Sequence, residues 1–206
     1  MDFKKHLETA WNLTLTHIVN LLLMTLVMLV ISCLTLGILA PVTMAGYMNA
    51  ILLMMREGRE PRIEDLFSQM RLFLPLLVFF IVVLIATMVG FMLLVLPGLA
   101  IIIAVTFACL YMVPLMVDKT MGLIDAAKSS WRMAFNQNVA DHVVVVILFV
   151  GLMAIGSAVF IGTLLTTPFA TVFLISVYLE KVQSIGQVPA DAGSNPPPPP
   201  GLDGEA

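Results

Sequence analysis

Three long apolar tracts alternate with short charged stretches along this chain, and the charged stretches are themselves patterned. From Met121 to Phe135 the apolar residues Ile124, Ala127, Trp131, Ala134 and Phe135 recur at helical spacing, with Asp125, Lys128, Ser129 and Arg132 on the other face. This predicts an amphipathic helix over 121–135. Phe3, Leu7, Ala10, Trp11 and Thr14 share one face of a second, over 2–12, and Ile63, Leu66, Phe67, Met70 and Leu74 stripe a third, over 61–71. A helix of this kind beside an apolar tract belongs at the membrane surface, its charges in water and its aromatic ring at headgroup depth. Trp11, Phe67 and Trp131 are therefore the predicted interface anchors. A sharper reading makes the same rings wedges that shape or sense curvature in one leaflet.

Each predicted surface helix introduces an uncharged tract. Leu13–Met55 spans 43 residues, Leu72–Val117 spans 46 and Val143–Leu179 spans 37, each long enough for two helices at about 1.5 Å rise per residue. Breaks are expected at Gly37 to Pro41, at Leu96-Pro97-Gly98 and near Thr166-Thr167-Pro168, because proline disrupts helix interiors and glycine tolerates the turn. The pattern thus predicts an all-α membrane domain over 1–182, six transmembrane helices paired as hairpins over 13–55, 72–117 and 142–180. The units form an internal repeat: Glu8 precedes Pro41 by 33 residues and Glu64 precedes Pro97 by the same 33, while Asp125 precedes Pro168 by 43.

Composition places the chain in the bilayer: 60% of residues are hydrophobic and only 11% charged. The net charge of -3 and the dispersed basic residues give no reason to expect nucleic acid. All ten Lys and Arg residues lie at the N-terminus, in the loops between hairpins or after the last tract, and the opposite turns carry no charge. The positive-inside rule then puts both termini and both large loops in the cytoplasm. Turns as apolar as Leu36–Pro41 leave re-entrant wedges as an alternative, but a turn within lipid would leave backbone groups unpaired, so full spans are expected. Glu8 and the length of the following run argue against a cleaved signal peptide. Cys33 and Cys109 both lie in apolar tracts, as buried thiols rather than a disulfide.

In lipid, helices associate through small residues that let backbones approach. Ala100, Ala104 and Ala108 form one such stripe, Ala154, Ala158 and Gly162 another, and Gly46 with Ala50 a shorter third. They serve either packing within the chain or a homo-oligomer. Asn20 and Asn49 are the polar pair expected to meet inside the first hairpin. No Asp, Glu, Lys or Arg falls inside a tract, which disfavours ion-coupled transport. His6, His17 and His142 are scattered without partners at ligand spacing, so no metal or cofactor is expected. No nucleophile elbow, P-loop or dinucleotide fingerprint occurs, and enzymatic activity is not expected.

The polar tail 183–206, with its five-proline run Pro196–Pro200, is expected to be disordered and is a candidate docking site for a cytoplasmic partner. After a proline-ended helix, Pro97-Gly98, Pro114, Asp118, Gly122, Ala126 and Ser130-Trp131 make a Gly-x3-Ala-x3-Ser-Trp pattern. On these residues the segment from Pro97 to about Glu180 resembles prokaryotic membrane domains related to the membrane region of glycerophosphodiester phosphodiesterases and to uncharacterised six-helix families. The resemblance implies a module of the prokaryotic cytoplasmic (inner) membrane without catalytic residues of its own. The expectation is a non-enzymatic, self-associating scaffold or membrane-shaping protein in contact with lipid. Alternatives are a channel or transporter for a small neutral or lipidic solute, and an accessory subunit of a membrane complex.

Overall fold

A computed structural model describes residues 2–136, 139–157 and 160–186. Among the described residues all regular elements are helical: α1 (Phe3–Thr16), α2 (Ile18–Leu34), α3 (Ala40–Glu57), α4 (Phe73–Leu93), α5 (Val95–Cys109), α6 (Met112–Asp118), α7 (Leu123–Asn136), α8 (Val139–Ser157) and α9 (Phe160–Gly186). The Pro-rich tail beyond residue 186 and Ala158 lie outside the described residues. Local chemistry explains most boundaries. The Asp2 carboxylate accepts the Lys5 N–H at 3.2 Å to start α1. Pro41 sits in the first turn of α3, where its missing N–H has no intrahelical partner to lose. Gly58, at φ 66°, closes α3 in the left-handed conformation.

The hairpin breaks differ from those the prolines suggested. α4 gives way to α5 at Leu94, which is extended, and Pro97 falls inside the first turn of α5, where proline is tolerated. α8 ends at Ser157 and α9 starts at Phe160, so Thr166-Thr167-Pro168 is helix rather than turn. The stripe at 61–71 is not an amphipathic α-helix either. It forms two short 3₁₀ turns, Ile63–Phe67 and Met70–Leu72, because Asp65 ties the chain to itself. Its carboxylate accepts from the Arg62 N–H at 2.9 Å and the Arg59 guanidinium at 2.5 Å, and its carbonyl accepts the Ser68 hydroxyl at 2.7 Å. At the N-terminus α1 and α2 meet at 87°, bent at His17. α1 packs against α9, with His6 facing Ser176 and Glu180 and Trp11 facing Phe169.

Burial runs against hydropathy. The most apolar 18 residues within Ile63–Leu93 have mean hydropathy 3.0 and are 11% buried, whereas those within Gly162–Ser184 have 1.6 and are 61% buried. α3 carries Thr43, Asn49, Arg56 and Glu57, yet ten of its 18 residues are buried, against two of 21 in α4. In water the most hydrophobic helix would occupy the core; the reverse order is what a hydrocarbon solvent requires. Among the described residues, four helical stretches are long and apolar enough to cross a membrane, five if the bent pair α1 and α2 makes one span.

Glycines set the close approaches. A Cβ on Gly90 would lie 2.9 Å from the Cα of Gly98, and one on Gly98 would lie 2.6 Å from the Phe91 ring, so this pair closes the α4/α5 hairpin. Gly156, which faces the Thr166 side chain, and Gly162, which faces the Gly156 carbonyl, do the same for α8/α9. Gly46 admits the backbone of Asp65 and Leu66 onto α3. Gly46 and Ala50 thus pack within the chain, whereas Ala100, Ala104 and Ala154 face outward. A Gly156→Val substitution should force α8 and α9 apart and cost about 1–3 kcal/mol, while Gly151→Val, which meets open space, should be near neutral. Thermal unfolding of the two variants in one detergent distinguishes them.

Candidate functional site

Arg56, Asp118, Asp141, Tyr178 and Lys181 draw the ends of four helices together. Arg56 closes α3, Asp118 closes α6 and Tyr178 lies near the end of α9. The Arg56 guanidinium grips Asp118 through both nitrogens, Nη2 donating to Oδ2 at 3.0 Å, and the Tyr178 hydroxyl donates to the same oxygen at 2.8 Å. Asp118 is almost fully buried at 5% exposure while Arg56 is 41% exposed, so the carboxylate is the buried charge and the arginine its link to the surface. A bidentate arginine joins three helices that are far apart in sequence.

Beside this network, Lys181 is buried with Nζ 5.1 Å over the Tyr111 ring, a cation–π contact, and Asp141 acts on it as an opposite charge. The His142 ring stands edge-on to Phe107 at 4.5 Å and 5.4 Å from Tyr111. Its position follows from a broken helix. Pro114 cannot continue an α-helix through residues 110–114, and α5 stops at Cys109 before α6 resumes at Met112. Two carbonyls at the break need donors from elsewhere. His142 Nε2 donates to the Phe107 carbonyl at 2.7 Å, and the Ser130 hydroxyl donates to the Ala108 carbonyl at 2.7 Å while accepting the Tyr111 N–H at 3.2 Å. Ser130 and Ala126 are fully buried on the inner face of α7, which gives the Ala-x3-Ser part of the motif a structural task.

A third cluster joins α1 to α9. His6 Nδ1 meets the Ser176 hydroxyl at 2.7 Å and Nε2 meets the Glu180 carboxylate at 2.6 Å, on a groove of about 630 Å³ that Lys5, Thr9 and Gln183 also line. The order serine, histidine, carboxylate has the sense of a nucleophilic triad. Ser176 lies mid-helix, however, where neighbouring N–H groups are spent on the helix ladder, so no oxyanion hole accompanies it. The trio works as a polar clasp between two helices. Among the described residues no three His, Cys, Asp or Glu side chains converge on a metal position, and Cys33 and Cys109 are free thiols.

The anticipated site residues fall in several places. Trp131 is exposed on the outer face of α7 and stacks on Phe135 at 4.5 Å, and Phe67 is exposed on its 3₁₀ turn. Trp11 is exposed too, but edge-on to Phe169 at 6.2 Å in the body of α9, because α1 packs along that helix. Asn49 does not join Asn20: its amide donates to Ser68 of the connecting loop at 3.1 Å. Sequence reasoning missed Arg56, Asp118, Tyr178, Tyr111 and Lys181, and set His142 aside. The usable signal was Pro114, since a helix broken there must borrow donors, and Ser130 and His142 are polar residues on the two helices that follow.

Fold and burial together define a helical integral membrane protein. Comparison with known proteins takes this no further, because no family model, curated protein or solved structure matches the chain. Two substitutions test the network. Asp118→Asn should destabilise by about 2 kcal/mol, less than a fully enclosed pair because Arg56 reaches solvent, and Tyr178→Phe by about 1 kcal/mol. Ser130→Ala strands a carbonyl and an N–H at the α5–α6 break and should cost about 1–3 kcal/mol. Thermal melts of the purified variants measure all three, and a Ser130→Ala protein as stable as wild type would contradict the role given to the hydroxyl.

Proposed function

We propose that this chain is a non-enzymatic integral membrane scaffold that shapes the leaflet into which α7 is set. The observation that carries the reading is the double-sided character of α7. Its inner face, with Ala126, Ser130, Met133 and Ala134, is buried against the bundle, while Ile124, Trp131 and Phe135 stand exposed. A helix locked to the protein on one side and presenting aromatic and aliphatic side chains on the other is built to hold apolar volume at headgroup depth. On this reading the chain crosses the inner membrane of a prokaryote six times, as α2, α3, α4, α5 with α6, α8 and α9, with both termini and the charged end in the cytoplasm. The outward Ala100 and Ala104 on α5 supply the surface for self-association.

The channel or transporter reading finds less support. Tyr47, Tyr111 and Tyr178 are fully buried in the core, and the Asn49 amide donates to Ser68 rather than meeting Asn20.

Purified protein reconstituted at increasing density should tubulate or shrink liposomes seen by cryo-electron microscopy, with Trp131→Ala and Phe135→Ala together weakening the effect severalfold. Unchanged spherical vesicles at high density would remove the shaping role. For orientation, single cysteines at Leu36, which is 91% exposed, and at Lys119 are placed in a protein lacking Cys33 and Cys109. An impermeant maleimide added to intact cells or spheroplasts should label position 36 and spare position 119; the opposite result would invert the topology.

A further inference from the structure

Between α5 and α7 runs a groove of about 370 Å³ lined wholly by apolar atoms, those of Ala108, Cys109, Ala127 and Trp131 and the aliphatic stems of Lys128 and Arg132, whose charged ends lie outside it. We propose that this groove binds an anionic phospholipid, with the phosphate held by Lys128 and Arg132 and one acyl chain lying on the apolar walls. Lys128 and Arg132 are four residues apart on α7 and both exposed, so they are neighbours on one helix face. Like charges in that relation oppose one another by a few tenths of a kcal/mol and become favourable when an anion bridges them. The α5 wall contributes no charge, and the one acid within a turn on α7, Asp125, is not among the lining residues. An ammonium and a guanidinium beside an apolar channel match the two parts of a phospholipid, and a basic helix face gains from anionic headgroups at an interface. Trp131 closes the groove with its amphipathic ring, the residue type that favours this depth.

The inference rests on α7 lying at the membrane interface, as in the scaffold reading, but it is measured without a membrane. Full-length protein in a neutral detergent is titrated with phosphatidylglycerol or phosphatidylcholine, and bound lipid is counted by native mass spectrometry. Wild type should retain phosphatidylglycerol in preference to phosphatidylcholine. Replacing both cations, K128Q with R132Q, should weaken phosphatidylglycerol about twentyfold, near fivefold for each charge, and abolish the preference. A127F, which fills the channel with the charges intact, should weaken it as well, and K119Q, an exposed cation outside the groove, should leave it unchanged. Glycerol 3-phosphate at equal concentration should fail to displace the lipid, since the chain carries part of the affinity. Equal retention of both lipids by wild type, undiminished phosphatidylglycerol binding by the K128Q/R132Q protein, or displacement by glycerol 3-phosphate would each overturn the assignment. Retained phosphatidylglycerol together with spherical liposomes would sink the shaping role and leave the site standing.

Discussion

A carboxylate cannot be buried without partners, and the burial of the Asp118 side chain obliges the rest of this bundle to come to it. Arg56 from the end of α3 and Tyr178 from α9 satisfy it between them. Those two contacts bring together helices separated by some sixty residues on each side. Lipid gives apolar side chains little reason to prefer one another over acyl tails, so specific pairing has to come from polar contacts and close packing. The network at the charged end supplies the first. Its neighbours repeat the principle: Lys181 lies over Tyr111, and His6 clasps Ser176 and Glu180.

Close packing supplies the second, and glycine sets where it happens. Gly90 with Gly98, and Gly156 with Gly162, sit at the charge-poor end of their hairpins, opposite the polar network. Backbone contact thus pins the turn end of both hairpins, while hydrogen-bonded charge ties α3, α6 and α9 together at the other end of the bundle. The first pair, α2 and α3, is held otherwise. Its turn runs through Leu36 and Gly37, both at positive φ, and the Tyr47 hydroxyl accepts from Thr25 at 3.1 Å across the two helices. The connecting loop then folds back onto Gly46. α3 is so mostly buried and can tolerate the polar residues it carries.

The broken helix α5–α6 links architecture to the proposed function. Because Pro114 interrupts the ladder, the α5 carbonyls need Ser130 and His142, and taking Ser130 fixes which face of α7 turns inward. The outer face, with Trp131 and Phe135, is then held outward without freedom to roll away. The cationic pair Lys128 and Arg132 is set beside the α5 wall by the same constraint. A backbone defect in one helix in this way orients the surface helix that follows it.

Membrane class, all-helical content, the segregation of charge to alternate connections and the amphipathic character of 121–135 were legible in the sequence, because each depends on side-chain polarity read locally or over one helix length. Break positions were half legible: Pro41 and Pro97 each fall in the first turn of the helix that follows a real break, whereas Pro168 sits within a helix, since proline's effect depends on which carbonyls its helix can spare. The 61–71 stripe misled because Asp65 offers its own loop better hydrogen bonds than an α-helix would. Partners were decided by the tertiary structure alone. Nothing local ties Arg56 to Asp118 and Tyr178, or His142 to the Phe107 carbonyl. Those pairings exist because helices from distant parts of the chain end at the same level, and a buried polar group takes whichever partner that level provides.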